Sequence, residues 1–340
     1  MKLLFFGPVA PPISGPGVKN EMMIEWVRKN VEDLELFILN THDLRKLNLI
    51  SIKQLFSIFR TKHVLLSVSK NGRFLFIPLF WLLRKKVFLF PAGGSFDDEI
   101  LDLPSGVRQV FIFFCRSLKA TFPQSKSLAE GLVRLGFQNV VYFPNPRINR
   151  YFSSSVEFYE APFKIIFLSK IREGKGPLLL LEAVRRLLLE NPEIEIEVNF
   201  YGLIDPLFSS QFITAVEQTD FANYRGEVSP SDVQSVISKH HLFVLPTLFA
   251  EGIPGAIIEA MLTGIPIIVS SFRASNEMVT DFKDGLIVPQ GNVEALKSAI
   301  YKIITDRDLR ISLSQEAKIS SAKYDMDLLM ENMIRIIKRI

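Results

Sequence analysis

The sequence predicts an α/β protein built from two doubly wound parallel sheets in series, and three observations carry that expectation. Short, uninterrupted apolar runs such as KLLFF and KIIFL suit strands buried on both faces, and amphipathic stretches of helical period separate them. The alternation restarts at FKIIFLS, near residue 163. At 340 residues, 48% of them hydrophobic, the chain exceeds what one core usually organises. The expected domains are residues 1–150 and 151–320, followed by a terminal helix over 321–340.

In order, KLLFFG reads as a buried strand, and PVAPPISGPGVKN after it reads as a loop because of its Gly and Pro content. Helix, strand and loop then alternate through NEMMIEWVRKN, LELFILN, HVLLSV, KVFLFPAGG, VRQVFIFFCRSL, KATFPQS, KSLAEGLVRLG and VVYFPNP. Residues 146–162 lack periodicity and are expected to link the domains. The second series runs FKIIFLS, GPLLLLEAVRRLLLENP, EIEVNFYG, SDVQSVISKH, HLFVLPT, GAIIEAMLTG, IPIIVSS, GLIVPQ and VEALKSAIYKII. No heptad, solenoid repeat or low-complexity tract interrupts it. Open parallel sheets bind ligands beyond the carboxyl ends of their strands, so two of them in series predict a site in a cleft between domains.

Charge is unevenly spread. Residues 1–150 hold 21 Lys and Arg against 11 Asp and Glu, whereas residues 151–340 hold 19 against 25. The basic first half points to an anionic partner, either a phospholipid surface or a lipid pyrophosphate; no nucleic-acid-binding module accompanies the charge, so nucleic acid is not expected. RFLFIPLFWLLRKKVFLF, residues 73–90, reads either as a buried helix followed by a strand or as a segment lying at a membrane interface. Its apolar run of about ten residues is short of the roughly 20 that a spanning helix needs. One cysteine, Cys115, and no secretory-signal pattern predict a cytoplasmic setting, peripheral to the inner membrane surface at most.

The chemistry concentrates in FAEGIPGAIIEAMLTGIPIIVSS, residues 249–271. Pro254 suits the first position of a helix and Gly264 with Pro266 ends it, which predicts a helix from about Pro254 to Thr263. Its start offers unpaired backbone N–H groups to a phosphate, and Gly255 lets that phosphate come close. Glu251 lies in the loop before the helix and Glu259 more than one turn inside. The frame Glu-Gly-x-Pro-x4-Glu-Ala-Met-x2-Gly-x-Pro after a strand resembles the signature of family 4 of the retaining glycosyltransferases. The resemblance implies a GT-B fold, two Rossmann-like domains with a nucleotide-sugar between them. It further implies that Glu259 binds the ribose, that Glu251 lies beside the sugar, and that the amides of Gly255 and Ala256 hold the diphosphate.

FLSKIREGKGPLLLLEA resembles the family's strand, Gly-Arg, Lys-Gly and helix segment, in which Lys175 matches the lysine that neutralises the leaving diphosphate. Lys170 stands where arginine is usual, and Ser169 replaces the preceding glycine; lysine keeps the charge but not the two-pronged grip on phosphate. On the bland reading both are solvated loop lysines. Gly15 and Gly17 are carried over as the glycine-rich first loop that approaches the donor. In FLFPAGGSFDDE, Ala92 stands where many relatives have histidine, and Asp97 and Asp98 read as helix-capping acids. His240 and His241 read as opening a strand. Asp325 and Asp327 have the Asp-x-Asp spacing of metal-dependent transferases of another fold, but they open the last helix, so no essential metal is expected. That helix should return to the first domain through Leu329, Met333 and Ile336.

The expected activity is transfer of a sugar from a UDP- or GDP-linked donor to a glycan or polyprenyl-linked oligosaccharide acceptor in surface polysaccharide assembly. Rivals are a non-catalytic partner subunit of a transferase complex, a nucleotide-sugar epimerase of the same fold, and a nucleotide-binding module. The partner subunit would account for Ala92 and Lys170; an epimerase wants several acids and a histidine together, which the sequence does not supply.

Overall fold

A computed structural model describes residues 1–11, 15–44, 56–91, 93–150, 161–249 and 252–340. It divides into one unit of Met1–Ile148 with Tyr324–Ile340 and another of Asn149–Lys323.

Among the described residues the first unit carries five parallel strands: β1 (Lys2–Gly7), β2 (Glu35–Asn40), β3 (His63–Leu66), β4 (Lys86–Leu89) and β5 (Ala120–Thr121). Their order is β2-β1-β3-β4-β5, so the winding reverses between β1 and β3. Those two strands end in close contact. A side chain on Gly7 would meet the Ser67 carbonyl oxygen at 2.3 Å. VVYFPNP contributes no strand; Val140 makes one isolated bridge with Thr121, because its two prolines remove ladder donors.

One face of this sheet is covered by the helices Gly15–Asn30 and Met326–Arg339, whose Met23, Ile24 and Val27 share a core with Met330, Met333, Ile334 and Ile337. The expected apolar stripe on the last helix is rotated: Met333 is buried as expected, while Leu329 and Ile336 flank the seam only partly buried. Asp325 caps that helix by accepting the Leu328 N–H at 2.9 Å, and Asp327 accepts the Trp26 indole N–H at 2.6 Å. Both acids of the Asp-x-Asp spacing thus have structural partners. Asp97 and Asp98 fall in the first turn of the helix Phe96–Leu101, whose N-cap is Ser95. There they complement the helix dipole without capping.

The helix Lys70–Leu82 buries only Arg73, Ile77 and Phe80; Leu75, Leu79, Trp81 and Leu82 are exposed. The buried-helix expectation for this stretch is therefore only half met. Among the described residues no helix is long and apolar enough to cross a membrane.

The second unit carries β6 (Phe163–Leu168), β7 (Ile196–Tyr201), β8 (Ala222–Tyr224), β9 (Leu242–Leu245), β10 (Ile267–Ser270) and β11 (Leu286–Val288). All are parallel, in the order β11-β10-β9-β6-β7-β8, the doubly wound dinucleotide-fold order. The switch point lies between β6 and β9, which pair through Ile165 with Leu242 and Ile166 with Phe243. Whatever follows these two strands is delivered to the edge where such sheets bind ligands.

Candidate functional site

Lys170 and Lys175 follow β6, and Gly255, Ala256 and Glu259 follow β9, so the topology brings five of the expected site residues to one switch point. The loops are laced together. The Thr247 hydroxyl and the Leu248 N–H both donate to the Gly174 carbonyl, at 3.1 and 2.8 Å. Gly176, at φ 74°, packs so closely that a side chain would meet the Pro246 carbonyl oxygen at 2.1 Å. Only glycine satisfies both the left-handed backbone and that approach.

The two lysines differ. Lys175 sits in the 3-10 turn Glu173–Lys175 and is 7% exposed, with Nζ 5.4 Å from the centre of the Phe249 ring. Lys170 is exposed and its Nζ is 2.7 Å from Asp205 Oδ2, which holds the Asp205 carboxyl below its ordinary range. A phosphate arriving at Lys170 must compete with that carboxylate, whereas Lys175 is buried beside an aromatic face. Sequence reading missed Arg172, whose guanidinium carbon lies 4.5 Å from the centre of the same Phe249 ring. The signal was present as the only arginine in SKIREGKG.

The helix after β9 is Gly255–Thr263, with Pro254 as its N-cap at ψ 122° rather than its first helical residue. Proline has no side-chain acceptor, and among the described residues no side chain caps this start. The amides of Gly255 and Ala256 therefore head the helix uncapped, as an anion site requires. Gly264, at φ 70°, ends it by donating to the Ala260 and Met261 carbonyls. Glu259 is half-buried and accepts from Gln234 Nε2 at 2.7 Å; Gln234, itself 3% exposed, accepts the Arg150 N–H at 2.9 Å through its other amide atom. Gln234 is a second residue that sequence reading missed. Glu251 and Ala92 lie outside the described residues.

In the first unit, Gly15 and Gly17 are not in a loop but on the first turn of the helix Gly15–Asn30. Pro16 fits there because the first turn has no use for its missing N–H. Asn20 ties this turn to the switch point, donating to the Pro8 carbonyl at 2.8 Å and accepting from Ser67 Oγ at 3.2 Å.

The paired histidines have structural work. His241 Nδ1 accepts the Lys164 N–H at 2.9 Å, and buried His240 holds the Val236 carbonyl at 2.9 Å. Burial pushes both rings down to about 4. The unfolded chain takes up their protons below about pH 6.5 and the folded chain does not, so their stabilisation is complete above that pH and is lost as pH falls towards 4. For His240 the difference is about 3 kcal/mol. The melting temperature is expected to fall between pH 7 and 4.5, and to fall less for His240→Asn; an equal fall in both proteins would assign the loss elsewhere.

A model of the glycosyl transferases group 1 family matches residues 151–320, half of the chain. The chain belongs to that family. The match spans the second sheet and every candidate residue on it. Among curated relatives of this chain, the amylovoran biosynthesis glycosyltransferase AmsK of Erwinia amylovora is 23% identical over 189 residues, covering 53% of this chain and 45% of AmsK. The N,N'-diacetylbacillosaminyl-diphospho-undecaprenol alpha-1,3-N-acetylgalactosaminyltransferase of Campylobacter jejuni is 27% identical over 110 residues, covering 32% of this chain and 29% of the enzyme. The chain thus matches less than half the length of either relative. Anabaena Alr3699/HepE in complex with UDP-glucose has a TM-score of 0.75 and 13% identity over all of both chains, a likeness of fold alone.

Proposed function

We propose that the protein is a retaining glycosyltransferase that moves a sugar from a nucleotide-sugar, UDP-linked in our reading, to a glycan or polyprenyl-linked acceptor in surface polysaccharide assembly. The observation that carries this is the meeting of a buried lysine, Lys175, with an uncapped helix start at Gly255 on the switch point of the family-matched sheet. The relatives suggest an acceptor class, since one is named for a diphospho-undecaprenol and the other for amylovoran biosynthesis.

In this reading Glu259 accepts from the ribose hydroxyls, the Gly255 and Ala256 amides bind the diphosphate, and Lys175, assisted by Lys170, stabilises charge as the diphosphate leaves. Glu251 stabilises positive charge at the sugar. The bond from the anomeric carbon to the diphosphate oxygen breaks while the acceptor oxygen bonds to that carbon on the same face. The acceptor proton passes to the departing phosphate oxygen. Lysines and helix amides supply this stabilisation without an essential metal.

The test is a thermal-shift screen of UDP, GDP and their sugars. Expected is stabilisation of about 3–4 kcal/mol by UDP at 100–1,000 times its Kd; stabilisation by no nucleotide removes the reading. Contact with an anionic bilayer would use the exposed face of Leu75, Leu79, Trp81 and Leu82, beside the exposed Arg84. The protein is expected to float with anionic vesicles and to stop doing so when Trp81 and Leu82 are both changed to serine. Flotation unaffected by that change would place the contact on another surface.

A further inference from the structure

Three cations follow β6 in SKIREGKG, and each has a different setting. Ile171 is fully buried and bridges to Ile204, its N–H donating to the Leu203 carbonyl at 2.9 Å. In extended backbone alternate side chains share a face, so Lys170 and Arg172 both project away from the side that Ile171 buries. Lys170 Nζ is taken up by Asp205 Oδ2 at 2.7 Å. That carboxylate is itself fixed: its Oδ1 accepts the Leu207 N–H at 3.2 Å, and the Asp205 N–H donates to the Ile171 carbonyl at 2.8 Å. Lys175 is buried. Arg172 is exposed and makes no hydrogen bond or ion pair among the described residues. Its charge reaches Asp205 only as a lesser influence than Lys170.

The Arg172 guanidinium is nonetheless held. Its carbon lies over the Phe249 ring, 4.5 Å from the centre, and Lys175 Nζ lies 5.4 Å from the same centre. The ring rests on Gly174, where a side chain would meet Phe249 Cδ1 at 2.7 Å. The neighbouring Leu248 N–H donates to the Gly174 carbonyl at 2.8 Å, so the bond that laces the loops after β6 and β9 also sets the ring in place. One ring therefore bears two cations. A guanidinium over an aromatic face keeps its in-plane donors for an anion, and its fork matches two phosphate oxygens at once. The ring contact also limits the side-chain freedom that binding must remove. Lys170 offers a point charge instead of a fork, and it must first leave Asp205.

We propose that Arg172 is a phosphate-binding residue of the donor site, gripping the diphosphate with its guanidinium fork from a place set by Phe249 and leaving Lys170, tied to Asp205, the smaller share. The assignment rests on the nucleotide-sugar reading and adds to it a residue and a mode of grip.

The test is calorimetric titration of UDP, or of GDP where the wild type binds that instead, into the full chain and the variants Arg172→Gln, Arg172→Lys and Lys170→Met. Expected is affinity about 10- to 100-fold weaker in Arg172→Gln, the loss of charged hydrogen bonds. Arg172→Lys, which keeps the charge and loses the fork, should fall between that variant and the wild type. Lys170→Met should lose at most about fivefold, since an exposed ion pair has little to give up. The melting temperature of ligand-free Arg172→Gln should stay unchanged, because the side chain is exposed. A lower melting temperature with unchanged nucleotide affinity would make Arg172 a structural partner of Phe249 and overturn the proposal. So would a larger loss in Lys170→Met than in Arg172→Gln, or wild-type affinity in Arg172→Lys. A wild type that binds UDP no better than Arg172→Gln does sinks the assignment of Arg172 and leaves the donor reading standing, whereas a wild type that binds no nucleotide sinks both.

Discussion

Replacing Glu259 by alanine is expected to weaken UDP binding about 10- to 100-fold, the consequence of losing roughly 1.5–3 kcal/mol of charged hydrogen bonding. The carboxylate is half-buried on the second turn of Gly255–Thr263, with one oxygen on Gln234 Nε2 at 2.7 Å. A carboxylate with four lone-pair sites can accept from a ribose hydroxyl pair while keeping Gln234. Removing it also leaves the Gln234 amide, only 3% exposed, short of a partner, so the variant should lose some thermal stability as well. Glu259→Gln separates these effects. Its amide oxygen can keep Gln234 but has lost the charge and one acceptor, so stability should be largely retained while UDP affinity falls to an intermediate value. Isothermal titration with UDP is the measurement. Affinity unchanged in Glu259→Ala would show that the ribose is held elsewhere, and a loss of stability without a loss of affinity would make the residue a partner of Gln234 only.

How far this site was legible in the sequence depends on the range of the interaction concerned. Local signals read well. The apolar strand ending in Leu245, the Pro254 and Gly255 helix start and the Gly264 stop are each fixed by backbone preferences within a few residues, and they appear where expected, Pro254 displaced by one position. The doubly wound order follows from the same alternation, since parallel strands need crossover helices. Gly15 and Gly17 misled because a Gly and Pro run signals a loop, yet the first turn of a helix tolerates both residues. Gln234 could not be found from pattern: its worth lies in a contact with Glu259 across 25 positions, and nothing in SDVQSVISKH marks one glutamine as buried. Lys19 is subtler still. Composition treats lysine as a surface residue, and only the packed helix reveals that this one lies against Phe90 with no acceptor.

Those limits bear on the catalytic assignment, where the expected effects are largest. Lys175→Met is expected to lower kcat about 100- to 1,000-fold, the magnitude lost when one preorganised donor to developing charge is removed. The lysine is 7% exposed, in a turn fixed by Gly176 against Pro246 and by the Gly174 carbonyl's two donors, so its ammonium spends little entropy in meeting a phosphate. Lys170→Met should cost much less, because that side chain is exposed and already paired with Asp205 at 2.7 Å; a partner carboxylate divides its charge before any diphosphate arrives. Glu251→Gln should again reduce kcat strongly with little change in UDP affinity, since its proposed partner is the sugar rather than the nucleotide. The split between kcat and UDP affinity is therefore the decisive measurement. A variant of Lys175 or Glu251 that loses UDP affinity in proportion to kcat would be a binding residue. A wild type that binds UDP through Glu259 yet turns over no sugar-nucleotide with any acceptor would instead be the non-catalytic partner subunit, keeping the nucleotide anchor and lacking the chemistry. The contrast between the two lysines sharpens the choice: a transferase that draws on Lys175 must show the large loss there and the small one at Lys170, whereas a binding protein indifferent to leaving-group charge has no reason to rank them.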